Sequence, residues 1–213
     1  SWTQLGSDID GEATGDYSGY SVSINSAGDR VAIGAYYNDG TDSDAGHVRV
    51  YEYSNSSWTQ LGSDIDGEAT GDRSGISVSM DSAGERVAIG AYQNDGTASN
   101  AGHVRVYEWN GSSWNKLGND IDGEAAGDQS GTSVSINSAG DRVAIGAYLN
   151  AGGGPGLPGH VRVYGFSNSS WTQLGSDIDG EAPADQSGQA VSMNSAGDRV
   201  AIGASGNNGT GTD

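Results

Sequence analysis

The chain has 213 residues, 37 of them Gly and none Cys, with 28 acidic against 9 basic side chains for a formal net charge of −19. Such a chain lacks the basic footprint that displaces counterions from nucleic-acid phosphates, and anionic membranes repel it for the same reason. Its longest apolar run, Val31 to Tyr36, is about six residues against the ~20 needed to span a bilayer, and with no Cys there is neither a disulfide framework nor a thiolate metal site. A hydrophobic fraction of 34% argues against one large core. The chain opens on Ser1-Trp2 without Met or a signal-type stretch, which suggests a mature product or an excised piece.

In chain order, Ser-Trp-x-x-Leu-Gly recurs with Trp at positions 2, 58, 114 and 171, giving tandem units of 56 to 57 residues. The longer third unit carries Asn150 to Gly159 where the first has Asn38 to Gly46. The first unit reads as four short β segments: Trp2 to Ile9, Ser18 to Ile24, Arg30 to Tyr36 and His47 to Tyr53. Turn residues divide them at Asn25 to Asp29, Asn38 to Gly40 and Ser54 to Ser57. The pattern therefore predicts an outer strand over 1–9, blades over 17–64, 73–120 and 129–177, and an incomplete blade over 186–213.

Along the strands, Val22 and Ile24 alternate with Ser21 and Ser23, and Val31 and Ile33 with Ala32 and Gly34. One face is branched and apolar, the other small. That pairing suits sheets stacked face to face, large residues of one against small residues of the next. The fold class expected is all-β, a β-propeller of about four tandem four-stranded blades. A stacked β-solenoid is the alternative, although its coils usually run only roughly 20 to 30 residues.

The runs Gly15-Asp16-x-Ser-Gly-x-Ser-Val, Val31-Ala-Ile-Gly-Ala35, Ala45-Gly-His-Val-Arg-Val-Tyr51 and Trp58-x-x-Leu61 resemble the FG-GAP repeats of integrin-α-like propellers. The resemblance covers nearly the whole chain and implies an extracellular, secreted or cell-surface protein. It departs from the family where Ser18-Gly19, Ser74-Gly75, Ser130-Gly131 and Ser187-Gly188 replace Phe-Gly. The family's calcium loop has as its counterpart Asn25 to Asp29, which holds too few carboxylates for the six to eight oxygens calcium takes.

A second acidic motif, Asp-Ile-Asp-Gly-Glu-x-x-x-Asp, supplies Asp8, Asp10, Glu12 and Asp16, with copies Asp64, Asp66, Glu68 and Asp72; Asp120, Asp122, Glu124 and Asp128; and Asp177, Asp179, Glu181 and Asp185. These carboxylates either gather on a Ca²⁺ ion or form a turn in which Asp16 and its copies cap backbone N–H groups. His47, His103 and His160, followed by Arg49, Arg105 and Arg162, occupy equivalent positions on different blades and so are not expected to converge on one metal. Each pair is expected to serve its own blade, against an Asp of the acidic motif.

Asn55, Asn110, Asn168 and Asn208 match the N-glycosylation acceptor pattern and would be modified in a eukaryotic secreted protein. No catalytic motif stands out, because each candidate Ser, His and Asp is repeated with the blade. The function expected is a non-enzymatic structural or adhesive module contacting extracellular proteins or glycans, within a longer chain or a self-assembly that fills the missing outer strands. The alternative is a lectin-like propeller binding glycans through Tyr36, Tyr92 and Tyr148.

Overall fold

Short runs of alternating residues between Asn, Asp and Gly turns are too brief for helices, and in the computed structural model they are strands. The structure describes residues 1–151 and 156–209. Part of the Asn150 to Gly159 stretch, the last four residues of the 186–213 blade and Thr210 of the Asn208 acceptor pattern lie outside the described residues.

The first sheet contains β1 (Ser21–Ile24), β2 (Arg30–Ala35), β3 (His47–Ser54), β4 (Ser57–Gln60) and β5 (Ile65–Asp66). The second repeats it with β6 (Ser74–Met80), β7 (Arg86–Ala91), β8 (His103–Trp109), β9 (Trp114–Lys116) and β10 (Ile121–Asp122). The third does so with β11 (Ser133–Ile136), β12 (Arg142–Ala147), β13 (His160–Ser167), β14 (Ser170–Gln173) and β15 (Ile178–Asp179). A fourth consists of β16 (Ser187–Met193) and β17 (Val200–Ala204). Neighbouring strands within each sheet are antiparallel, and the Asn25 side chain closes the first hairpin by accepting from the Asp29 and Arg30 amides.

The outer edge differs from the expected single strand. β4 pairs with the end of β3, Tyr51 to Ser54, and β5 with its start, His47 and Val48. Between them the chain bends at Gly62, whose φ of +81° suits a residue without Cβ. The expected outer strand Trp2 to Ile9 does not form, because no counterpart of β3 lies beside it among the described residues.

The sheets stack as a propeller rather than a solenoid: successive blades meet face to face and their inner hairpins approach one axis. Ile24, Met80, Ile136 and Met193 line a common cavity of about 120 Å³. Around it the Ser26 amide donates to the Ser82 carbonyl, Ser82 to Ser138, and Ser138 to Ser195. The apolar cores lie between blades: Ala32, Val48, Val50 and Ile65 of the first pack on Val78, Met80, Val87 and Ile89 of the second. The next joint does the same with Ala88, Val104 and Val106 against Val134, Ile136, Val143 and Ile145.

At each joint the blades come into backbone contact. The Ser21, Ser77 and Ser133 hydroxyls donate to the carbonyls of Gly75, Gly131 and Gly188 at 2.7 Å. A Cβ on Gly34, Gly90 or Gly146 would collide with that same carbonyl oxygen. Outside, a ladder of aromatics links the repeats: the Trp58, Trp114 and Trp171 indoles donate to the carbonyls of Leu5, Leu61 and Leu117. The end faces are uncovered. Val22 and Ile24 are 62% and 59% exposed where their counterparts Val78 and Met80 are 9% and 7%, and at the other end Ala201 and Gly203 are exposed.

Gly90→Ala should therefore cost about 1–3 kcal/mol, since the opposing group is main chain and cannot swing away. Gly203→Ala, whose Cβ meets only Ala190 at ordinary contact distance, should move stability by less than about 0.5 kcal/mol. Denaturant unfolding of the two variants checks this, and equal effects would contradict the backbone contact.

Candidate metal centres at the blade joints

The split outer edge sets up a recurring polar site. Because the strand breaks at Gly62, Asp64 turns back toward His47, the first residue of β3. Glu12, on the segment entering the first blade, reaches the same ring. His47 is 1% exposed, and its Nδ1 stands 3.8 Å from Glu12 Oε2 and 3.7 Å from Asp64 Oδ2. The site at His160 is close to this, with Nδ1 4.0 Å from Glu124 Oε2 and 3.8 Å from Asp177 Oδ2. In the middle, Glu68, His103 and Asp120 lie together, and the donor atoms of each trio fall within 4.8 Å of one another.

The carboxylates are held from behind. Arg49, Arg105 and Arg162 each donate to the carbonyl of Asp10, Asp66 or Asp122 and lie 3.6, 3.2 and 3.5 Å from Oε1 of Glu12, Glu68 and Glu124. Gln60 and Gln173 donate to Oδ1 of Asp64 and Asp177, leaving Oδ2 toward the imidazole. The middle joint has Lys116 in the glutamine's place, its Nζ 2.9 Å from Asp120 Oδ1.

Both ring nitrogens of His47, Nε2 of His103 and Nδ1 of His160 are buried without a hydrogen-bond partner. A buried polar atom left so costs about 1–3 kcal/mol. Burial is the largest cause holding all three imidazoles below the ordinary histidine range; Arg105 adds to it at His103, which is pushed down to about 4. The rings are therefore neutral at pH 7, with a lone pair free on one nitrogen.

The sixteen carboxylates of the acidic motif go to several different places. Asp16, Asp72, Asp128 and Asp185 are buried, accept from the amides of Ala13, Ala69, Ala125 and Ala182, and bond the Asn38, Asn94, Asn150 and Asn207 amides. Asp66, Asp122 and Asp179 end β5, β10 and β15, Asp10 is their counterpart outside any strand, and Asp10, Asp66 and Asp122 offer backbone carbonyls to arginine. Glu12, Glu68 and Glu124 join the histidines, as do Asp64, Asp120 and Asp177, one repeat further on. Asp8 bonds Gln4, and Glu181 is exposed. Among the described residues the four carboxylates of one copy thus do not gather at one point; each trio takes its acids from two successive copies.

Tyr36, Tyr92 and Tyr148 follow one another along one rim. The neighbouring hydroxyls of Tyr37, Tyr20, Tyr17 and Tyr92 add to burial in raising Tyr36, and Tyr92 adds to burial in raising Tyr148. Beside Tyr36 lies a cluster that the repeat pattern alone did not single out. Tyr20 and Tyr37 have ring centroids 4.6 and 4.4 Å from Tyr36, Tyr17 is 5.3 Å from Tyr37, and Arg73 sits 4.4 Å over Tyr37. The signal was available, because Tyr17 and Tyr20 are aromatic where later repeats have Arg73 and Ile76, Gln129 and Thr132, or Gln186 and Gln189. Asn55, Asn110, Asn168 and Asn208 are exposed, the first three at the outer hairpins.

No protein-family model matches the chain, and no curated relative does. Solved structures do: a hydrazine synthase of Kuenenia stuttgartiensis at 9% identity and TM-score 0.54, over 93% of this chain and 44% of that one. A candidate 6-phosphogluconolactonase of Bacteroides uniformis matches at 10% and 0.53 over 85% and 42%, and Sqt1 of Saccharomyces cerevisiae at 14% and 0.51 over 82% and 39%. The shared fold is a β-propeller. This chain spans about two fifths of each of those chains, and identities this low carry the fold alone.

The depressed histidines give stability a sign with pH. Between about 6.5 and about 4 the unfolded chain binds protons that the folded His103 refuses, so stability falls as pH drops through that window, by up to roughly 3 kcal/mol for His103. Urea unfolding in chelator at pH 7 and pH 4.5 should show a smaller difference in His103→Asn than in the parent; equal differences would contradict it.

Proposed function

We propose that the chain is a non-enzymatic structural and adhesive repeat module, an FG-GAP-like propeller segment that works outside the cell and contacts other proteins or glycans. The observation that carries this reading is how its polar groups are distributed. The His–Arg–Glu–Asp sets, with buried His and Arg, recur from repeat to repeat as part of the frame, whereas the exposed Tyr17 and Tyr20 occur in one blade only. A reaction centre needs an asymmetric set of groups around one reacting atom; a contact surface needs exposed, rigid rings. The two uncovered end faces, branched at one end and small at the other, suit continuation of the stack by further blades.

A lectin-like role is the second reading, favoured by the Tyr17, Tyr20, Tyr36 and Tyr37 cluster. Tyr17 and Tyr20 are 61% and 59% exposed, and their flat faces with nearby hydroxyls suit stacking under a sugar ring. Binding of the 213-residue protein to arrayed glycans and to extracellular matrix proteins tests both readings. The expected result is binding that weakens about tenfold or more in the double variant Tyr17→Ala/Tyr20→Ala while its melting temperature stays put. Binding indifferent to that variant would contradict the assignment of the surface, and turnover of a sugar lactone abolished by His160→Asn would contradict a non-enzymatic role.

A further inference from the structure

We propose that the blade joints are sites for a first-row divalent cation of the zinc type, held by His47, Glu12 and Asp64 in one joint and by His160, Glu124 and Asp177 in another. The middle joint, with His103, Glu68 and Asp120, is a weakened version of the same site. This is separate from the adhesive reading and does not depend on it.

Three independent features meet at each strong site. The imidazole is nine-tenths buried or more, and its Nδ1 has no hydrogen-bond partner yet is aimed between two carboxylates. The separations of 3.7 to 4.0 Å are too long for hydrogen bonds and a few tenths wider than the ~3.3 Å between ligands of a tetrahedral ion with bonds of about 2.0–2.1 Å. Finally, each carboxylate has its other oxygen toward Gln60 and Arg49, or Gln173 and Arg162, the outer support that orients metal ligands.

Access and chemistry agree. The carboxylates are 30–46% exposed, so a hydrated ion reaches them from solvent and they shift inward at little cost, while the histidine forms the floor. A neutral imidazole with two carboxylates and room for water matches an open zinc site. Calcium takes six to eight oxygens and has no use for the ring nitrogen. Lys116 discriminates between joints, since its ammonium rests on Asp120 where the other two joints have a neutral amide. A fixed positive charge beside the ligand opposes a divalent ion.

The test is calorimetric titration of chelator-stripped protein with Zn²⁺ near pH 7.5. Two tight sites are expected, with a third about tenfold weaker or more, and Zn²⁺ should raise the melting temperature by binding the folded state. Lys116→Gln should bring the third site to parity with the others. Asp64→Asn/Asp177→Asn, which changes partly exposed carboxylates and leaves the buried rings in place, should abolish tight binding while the melting temperature in chelator stays within a few degrees. Absence of Zn²⁺ binding, tight binding that survives the Asp64/Asp177 variant, or Ca²⁺ matching Zn²⁺ in affinity would overturn the proposal.

Discussion

Everything in this molecule depends on how closely one blade approaches the next. Where β2, β7 and β12 cross the following blade, Gly34, Gly90 and Gly146 lie against a main-chain carbonyl with no room for a Cβ. Serine hydroxyls bond the same carbonyls. That contact explains why each strand pair carries a small face. The small face in turn explains why the opposite face is branched, because Val and Ile must fill what Ser, Ala and Gly leave between the sheets. Stability therefore resides in joints more than in blades, and a hydrophobic fraction that would be meagre for one core is enough for several thin ones.

The same constraint places the chemistry. With the inner strands locked together, the outer edge of each blade must bend to reach the next repeat, and it bends at the Leu-Gly-Ser-Asp step. The bend lays a tryptophan under the preceding repeat's Leu-Gly and swings an aspartate over the histidine at the start of the third strand. The joint's polar trio and its aromatic ladder are two results of one kink. The blade faces that lack a neighbour keep the unmet half of the same pattern, exposed Val22 and Ile24 at one end and exposed Ala201 and Gly203 at the other.

Much of the fold was legible because repeat spacing and two-residue alternation are local signals. The hairpins of each blade, the branched and small faces, and the propeller itself follow from Ser21 to Ile24 and Arg30 to Ala35. Less legible was anything assembled across repeats. The outer strand, Trp2 to Ile9 and its counterpart Trp58 to Ile65, reads as one piece, and the left-handed Gly62 divides it. Glu12, His47 and Asp64 are spread over more than fifty residues, and the two acids belong to successive copies of the acidic motif, so reading each copy as a unit does not bring this trio together. The tyrosine cluster was hidden differently: attention to what recurs passes over Tyr17 and Tyr20, which do not.

The stretch Ser21 to Tyr36 is identical, residue for residue, to Ser133 to Tyr148. Both form the same hairpin, with the same ladder and the same intrinsic amide exchange chemistry. They differ in cover, since the branched face of the first is open while that of the other is packed on the preceding blade. Hydrogen–deuterium exchange read by mass spectrometry, using peptides extended to Tyr20 or Tyr37 and to Thr132 or Leu149 to tell them apart, compares the two directly. If the joints hold the fold together, amides of 133–148 exchange at least about tenfold more slowly than their twins in 21–36. Equal protection of the two would place the stability within each sheet and contradict the account.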